Sequence, residues 1–282
     1  MLSPELILKE CSLPAMPQVA ARILRLANDP ASRVDEVQHV IFADPALTSR
    51  ILMIANSAYY GLRRKVDTVS DALFVLGFEA VKNLSIAVAT KEIYNTHGLI
   101  EQKLWEHALG VSIAAGLVGG RQKAFKLPVE ECVVAGLLHD IGKAVMNQSQ
   151  PQRYAMVVER VYDERIPFHT VEKEIFGFTH SEVGALLFKQ WGLPSELIEM
   201  VANHNNCHEV DGTHEAEGLC RVVSLADGLC LRLGVGYRGP MPELCPDDSV
   251  KTKALGLTPE DVEEITESFK KKYIEEKLSF MV

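Results

Sequence analysis

A histidine and an aspartate, His139 and Asp140, stand side by side in the apolar run AGLLHDIGKAVM, and Lys143 follows closely. Ionisable side chains are rarely buried unless they are paired or ligate a metal ion. In the middle of an α-helix, adjacent side chains point about 100° apart, so the two could not easily share one metal ion. Gly142 predicts that the pair lies in the last turn of a helix, where the backbone can bend.

Partners for this pair are available elsewhere in the chain, on or beside predicted apolar helical faces. The candidates are His107 in LWEHALG, His180 in GFTHSEVG, His204 in VANHNNCH and Asp227 in SLADGL. Together with the pair, they supply four histidines and two aspartates. Nitrogen and oxygen ligands of this kind suit Fe, Mn, Ni or Zn.

The elements that must position these residues are predicted to be helices. Apolar residues recur with helical spacing from end to end, whereas alternating, strand-like stretches are nearly absent. Four helix starts follow from capping residues. They are Asp44 with Pro45, Thr68, Thr179 with Glu182 as a capping box, and Thr258 with Pro259. The sequence therefore predicts an all-α fold.

Composition and charge narrow the class of protein. The 282 residues are 47% hydrophobic and 24% charged, as in soluble globular proteins, and no apolar run approaches the roughly 20 residues of a membrane helix. The net charge of −9 disfavours nucleic acid and anionic membranes as partners. The basic cluster at 63–65 is interpreted as a solvated loop. Six cysteines without C-x-x-C spacing and an N-terminus without a secretory signal predict reduced thiols and a cytoplasmic location.

A boundary within the chain is predicted near THGLIE, at 96–101, before the long helix that carries LWEHALGVSIAAGLV. It divides the chain into residues 1–98 and 99–282. A helix that bridges the two halves is equally compatible with the pattern.

The order of the site residues resembles the ligand series of the HD superfamily of metal-dependent phosphohydrolases, including the extra histidines of its HD-GYP branch. Three stretches in the front half carry a resemblance to a narrower family. They are LPAMPQVAARILRLANDP, VIFADPALTSRILMIANSAYYG and TVSDALFVLGFEAVKNL. From about Leu13 to about Leu233, the chain closely resembles the HDOD family of bacterial signalling proteins. The resemblance implies an N-terminal helical subdomain, 1–98, packed on a C-terminal HD-like helical bundle, 99–282, that carries the site.

The resemblance also implies one or two divalent metal ions, Fe or Mn first and Ni or Zn as alternatives, at positions that share Asp140. The first ion would be held by His107, His139, Asp140 and Asp227, and the second by Asp140, His180 and His204. Lys143 matches the lysine of the HD-x-G-K motif and would contact a phosphate oxygen of a substrate. Lys143 and Asp140 are therefore the candidate catalytic residues.

Two departures from the HD-GYP pattern weaken the case for a second metal ion and for cyclic di-GMP hydrolysis. HD-GYP enzymes carry paired histidines where this chain has His204 and Asn205. Their Gly-Tyr-Pro motif is missing, since the stretch GYRGP at 236–240 lies after Asp227 rather than before it.

Many HDOD proteins act as regulatory modules, so the resemblance implies a regulatory or binding module of bacterial signal transduction with a retained metal site. A protein partner is expected, with NSAYYGLRRK at 56–65 as the candidate surface, although Tyr59 and Tyr60 could instead pack between helices. The alternative is a metal-dependent phosphohydrolase or phosphodiesterase that acts on a nucleotide or cyclic dinucleotide.

A structural zinc site is a further alternative, because HNNCHEVDGTH is rich in zinc ligands. They are His204, Cys207, His208 and His214, with Cys220 following. Zinc favours tetrahedral sets of cysteine and histidine, but the paired anchors of the usual zinc fingers are missing.

Overall fold

The fold is all-α, as predicted. The computed structural model describes residues 9–29, 31–56, 66–94, 98–207, 214–244 and 249–280. These residues form α-helices and one short 3₁₀ helix, without a β-strand among them. Within these described ranges, no helix is both long and apolar enough to cross a membrane.

The helices divide into two compact units. The larger unit comprises Met1–Ala15 and Ile93–Thr266, and the smaller one comprises Met16–Glu92 and Glu267–Val282. The predicted division of the chain into 1–98 and 99–282 stays a prediction.

The smaller unit is built around α5, against which α1, α3 and α4 pack. Its helices are α1 (Gln18–Asn28), α2 (Val34–Phe42), α3 (Pro45–Ala55), α4 (Val69–Leu76) and α5 (Phe78–Ala89). The residues of the short α6 (Lys91–Tyr94), which follows, are divided between the two units. Asp44 Oδ1 accepts from the Leu47 amide at 3.0 Å, and Thr68 Oγ1 accepts from the Asp71 amide at 3.0 Å. These contacts confirm two of the predicted helix starts. The candidate partner surface lies outside the described residues, except for Asn56.

The larger unit carries all the predicted site residues. Its helices are α7 (Leu99–Gly119), α8 (Val129–Leu138), α9 (Ile141–Ser149), α10 (Pro151–Glu164), α11 (Phe168–Phe176), α12 (His180–Trp191), α13 (Ser195–Asn203), α14 (His214–Leu233) and α15 (Ser249–Ala254). The residues of α16 (Pro259–Phe280) are divided between the two units.

The core of the larger unit is α7, whose residues from Leu104 to Gly119 are buried on all sides. Helices α8 and α14 pack against it, which fits a helix that is apolar around its whole circumference. A second layer consists of α9, α12 and α13: α9 packs on α12, α12 packs on α13, and α13 packs on α14. The predicted capping box is confirmed at the start of α12, where Thr179 and Glu182 exchange side-chain to backbone hydrogen bonds.

Gly142 allows α9 to pack directly on the start of α12. A Cβ atom at Gly142 would overlap the carbonyl oxygen of His180. The pair His139–Asp140 does lie at a helix end, because α8 ends at Leu138. The predicted role of Gly142, to let the backbone bend at a helix end, was wrong, however. Gly142 lies inside α9 and allows close packing of helices.

Substituting Gly142→Ala should therefore destabilise the protein. Forcing a methyl group into a packed contact costs typically 1–3 kcal/mol, so we expect the free energy of unfolding to fall by about 2 kcal/mol or more in urea denaturation. Gly239→Ala is the matched control, since a Cβ atom there meets no atom within 4 Å. Equal stability of the two variants would contradict this packing.

Candidate metal centre

The six predicted ligands come from five places in the larger unit, and four of the six lie at helix ends. His107 lies on α7, His139 and Asp140 between α8 and α9, His180 at the start of α12, His204 directly after α13, and Asp227 on α14. The four histidines and Asp140 are buried. These residues lie far apart in the sequence. They come together because several helices of the larger unit converge at this point.

Asp140 is the centre of this arrangement. Its Oδ2 lies 3.5 Å from His107 Nε2 and 3.3 Å from His139 Nε2. Its Oδ1 lies 3.2 Å from His180 Nε2 and 3.5 Å from His204 Nε2. The carboxylate therefore faces one pair of histidines with each of its oxygens.

Two groups of three residues could each hold a metal ion, and Asp140 belongs to both. One group is His107, His139 and Asp140, and the other is Asp140, His180 and His204. Asp227 lies beside the first group, with its Oδ1 3.1 Å from His107 Nε2. The structure thus brings all six predicted ligands together, with Asp227 at the edge.

Backbone carbonyls fix the protonation of three of the imidazole rings. The Nδ1 atom donates to Val235 O at 3.2 Å in His107, to Gly136 O at 2.7 Å in His139 and to Val201 O at 2.8 Å in His204. A carbonyl oxygen can only accept, so each neutral ring carries its proton on Nδ1 and presents a lone pair at Nε2. Metal-bound histidines are held in the same way.

The resulting centre fits a divalent cation. Lone pairs of imidazole nitrogens face the oxygens of Asp140, and two acceptors repel each other unless a cation lies between them. Four buried atoms of this centre make no hydrogen bond within the described part of the chain: Nε2 of His107, Nε2 of His139, Oδ1 of Asp140 and Oδ1 of Asp227. Buried polar atoms are nearly always satisfied, and a metal ion would satisfy these four.

His180 is oriented by a carboxylate that the sequence analysis missed. Glu172 Oε2 accepts hydrogen bonds from His180 Nδ1 at 2.6 Å and from the His180 amide at 2.8 Å. Tyr154 donates its hydroxyl to Glu172 Oε1 at 3.2 Å. Burial raises the pKa of Glu172, but His180 outweighs this effect and holds that pKa below its ordinary value. One sequence signal was available, because Glu172 lies four residues from Phe168 and from Phe176, on the apolar face of α11.

The second group contains an amide where HD-GYP enzymes have a histidine. Asn205 Nδ2 lies 3.0 Å from His180 Nε2 and 2.9 Å from His204 Nε2. The same atom donates to Ser181 Oγ at 3.0 Å. The chain therefore supplies one neutral side chain to this group in place of an imidazole.

Lys143, the lysine that matches the HD-x-G-K motif, lies against Asp140. Its Nζ is 2.6 Å from Asp140 Oδ2 and 4.4 Å from the centre of the Phe168 ring. Burial acts to raise the pKa of Asp140, yet His139 and Lys143 hold it well below the ordinary value. Burial acts to lower the pKa of Lys143, yet Asp140 raises it. Both groups therefore stay charged at neutral pH.

The stretch GYRGP is not a Gly-Tyr-Pro motif, but it holds His107 in place. Gly236 has a φ of +75°, and a Cβ atom there would overlap the backbone of His107. Tyr237 packs edge-on against the His107 ring, with centroids 5.1 Å apart. The backbone preceding Tyr237 supplies the carbonyl that accepts from His107 Nδ1.

A cavity of about 380 Å³ opens beside the centre. Its wall includes metal-site residues, cations and apolar side chains. Among them are His204, Asp227, Lys143, Arg165, Lys251, Glu243, Phe168, Leu231, Tyr237 and Leu244. This volume lies in the range of small-molecule sites.

The zinc alternative finds no support in the described residues. His204 belongs to the Asp140 group, and the His214 ring packs against Phe125 with centroids 4.5 Å apart. Cys207 and Cys220 are free and buried, and neither belongs to a potential metal group among the residues that the structure describes. His208 lies outside those residues.

The helical architecture and the histidine–aspartate centre define an HD-type protein. Residues 13–207 match the HDOD domain. The chain therefore belongs to the HDOD family, as the sequence resemblance predicted.

Solved structures share this fold. An HDOD domain protein of unknown function from Geobacter sulfurreducens is 27% identical, with a TM-score of 0.75, and the match covers 98% of this chain and 95% of that one. A candidate signal transduction protein from Marinobacter aquaeolei VT8 is 25% identical, with a TM-score of 0.72 over 95% of this chain and 60% of that one. A candidate metal-dependent phosphohydrolase from Shewanella amazonensis SB2B has the same fold at 19% identity, with a TM-score of 0.68 over 95% of each chain.

A curated relative matches about two thirds of the chain. An uncharacterised protein of Treponema pallidum (strain Nichols) is 25% identical over 195 residues, which are 69% of this chain. The match spans 38% of the length of that relative.

Replacing Glu172 should weaken metal binding at the second group. Partners that orient a metal-bound histidine typically contribute 10- to 100-fold in affinity, so Glu172→Gln should weaken Mn²⁺ binding by about that factor in isothermal titration calorimetry. Glu174→Gln, on the same helix and exposed, should bind as the wild type does. Unchanged affinity in Glu172→Gln would show that Glu172 does not act on the metal.

Proposed function

We propose that this protein is a regulatory module of bacterial signal transduction whose HD-type site holds one or two divalent metal ions. The observation that carries the proposal is the convergence of four Nε2 atoms, from His107, His139, His180 and His204, on the carboxylate of Asp140. Keeping several buried acceptor atoms close together costs free energy, because they repel one another. A site without a function would not be expected to retain such an arrangement.

The ligand set favours Fe or Mn, with Ni or Zn as alternatives, because it consists of imidazole nitrogens and carboxylate oxygens without a thiolate. In the first position His107, His139, Asp140 and Asp227 would hold the ion. In the second position Asp140, His180 and His204 would hold it. A bound ion would supply Lewis-acid stabilisation of negative charge on a phosphate group.

The regulatory role is supported by the weaker second group and by the relatives. Asn205 offers a neutral amide where HD-GYP enzymes place a histidine, which lowers the affinity expected for a second ion. The Marinobacter protein is a candidate signal transduction protein. A protein partner would then respond to the metal-bound state or to a ligand held beside it.

Phosphohydrolase activity is the second candidate, and Lys143 favours it. The Lys143 ammonium stays charged beside Asp140 and also lines the 380 Å³ cavity. From that position, it would stabilise charge on a phosphate group of a nucleotide or cyclic dinucleotide. Asp140 and Lys143 are the residues on which such catalysis would depend.

The two candidates differ in turnover. We expect the Mn²⁺-loaded protein to bind metal without hydrolysing bis(4-nitrophenyl) phosphate, measured by release of 4-nitrophenolate. Turnover that disappears in His139→Ala but persists in His39→Ala would instead establish the phosphohydrolase. His39 is the matched control, because it is exposed on α2 in the smaller unit.

A further inference from the structure

We infer that a small apolar pocket beside the first metal position takes a short alkyl group carried by a metal-bound phosphate or phosphonate. The inference rests on the proposed function, because the metal ion holds the phosphorus group. It deepens that function by naming a class of ligand, a phosphate or phosphonate with a short apolar substituent next to phosphorus. The apolar pocket is distinct from the 380 Å³ cavity, although Lys143, Phe168 and Tyr237 line both.

The apolar pocket has a volume of about 70 Å³ and borders the first metal group. His107 and Lys143 line it, and both lie close to the same oxygen of Asp140. His107 Nε2 lies 3.5 Å from Asp140 Oδ2, and Lys143 Nζ lies 2.6 Å from it. A phosphate held by an ion at this position and by Lys143 would therefore lie next to the pocket, with its substituent within reach of it.

The wall of the apolar pocket consists largely of aliphatic side chains. Helices α7 and α10 supply four of them, which are Leu99, Ile100, Leu104 and Val158. Leu99 is 68% exposed, so a ligand that covers it would remove apolar surface from water. The free energy gained in this way is roughly proportional to the apolar area that becomes buried.

The stretch GYRGP forms another side of the apolar pocket. Gly236 lies against the backbone of His107, and Tyr237 packs edge-on against the His107 ring. The guanidinium group of Arg238 lies 4.5 Å from the centre of the Tyr162 ring, which also lines the pocket. This stretch therefore both fixes a candidate metal ligand and closes the pocket beside it.

The cationic side chains in this wall have partners within the protein. Lys103 pairs with Glu106 at 2.7 Å, and Lys143 pairs with Asp140. Arg238 lies over an aromatic ring. Selection by the pocket therefore depends on apolar contact rather than on charge.

The volume of the apolar pocket sets the size of the group that it takes. An apolar cavity of about 150 Å³ in another protein accommodates benzene, which has six carbon atoms. A pocket of about 70 Å³ suits a group of about half that size, such as propyl.

The test compares methylphosphonate, ethylphosphonate and propylphosphonate, whose P–C bond resists hydrolysis. Their binding to the Mn²⁺-loaded full chain would be measured by isothermal titration calorimetry. Each buried methylene group should increase the affinity about 4-fold, so propylphosphonate should bind about 10-fold more tightly than methylphosphonate.

Variants locate the alkyl group in the apolar pocket. Val158→Phe fills the pocket and should reduce the preference for propylphosphonate to about 2-fold or less. Met156→Phe makes a matched change at an exposed position of the same helix and should keep the preference. Leu244→Asn alters only the 380 Å³ cavity and should also keep it.

Thermal unfolding and metal content verify that each variant is folded. If Val158→Phe unfolds, Ile100→Asn takes its place, because it puts a polar side chain into the same wall. This variant should reduce the preference to a similar extent.

Two results overturn the inference alone. One is a metal-loaded wild type that binds propylphosphonate no more tightly than methylphosphonate. The other is a preference that survives in a folded Val158→Phe or Ile100→Asn variant. A wild type that binds no metal ion overturns the proposed function, and the inference falls with it.

Discussion

The larger unit depends on one electrostatic constraint: the carboxylate of Asp140 is buried among the lone pairs of four imidazole rings. Asp140 is 2% exposed, and each of its oxygens faces two Nε2 atoms at 3.2–3.5 Å. Lys143 offsets part of the negative charge but contacts only one of the oxygens. A cation between Asp140 and the rings would turn these repulsive contacts into ligand bonds.

The fold serves this constraint through the ends of its helices. Backbone carbonyls near the histidines accept from Nδ1, so the rings cannot turn their lone pairs away from Asp140. Glu172 does the same for His180, whose Nδ1 donates to its carboxylate. Close packing at Gly142 and Gly236 brings the backbone against His180 and His107.

Local patterns in the sequence were enough to predict the helices, the capping residues and the side chains that the structure brings together around Asp140. Helical periodicity and caps such as Thr68 and Thr179 are encoded within a few residues, and the histidines are recognisable by type and order. Glu172 was missed because its partner His180 lies on another helix. The role of Gly142 was misjudged because its close neighbour, the carbonyl group of His180, is brought there by the packing of α9 on α12. Contacts between helices leave only weak signals in a single sequence.

The central claim is that Asp140 exists to bind metal, and the most direct measurement is the metal content of the purified chain by inductively coupled plasma mass spectrometry. The wild type should hold one or two equivalents of a divalent metal, and Asp140→Asn should hold less, because both ligand groups share this carboxylate. A wild type without metal after incubation with Fe²⁺ or Mn²⁺, or full occupancy in Asp140→Asn, would contradict the account.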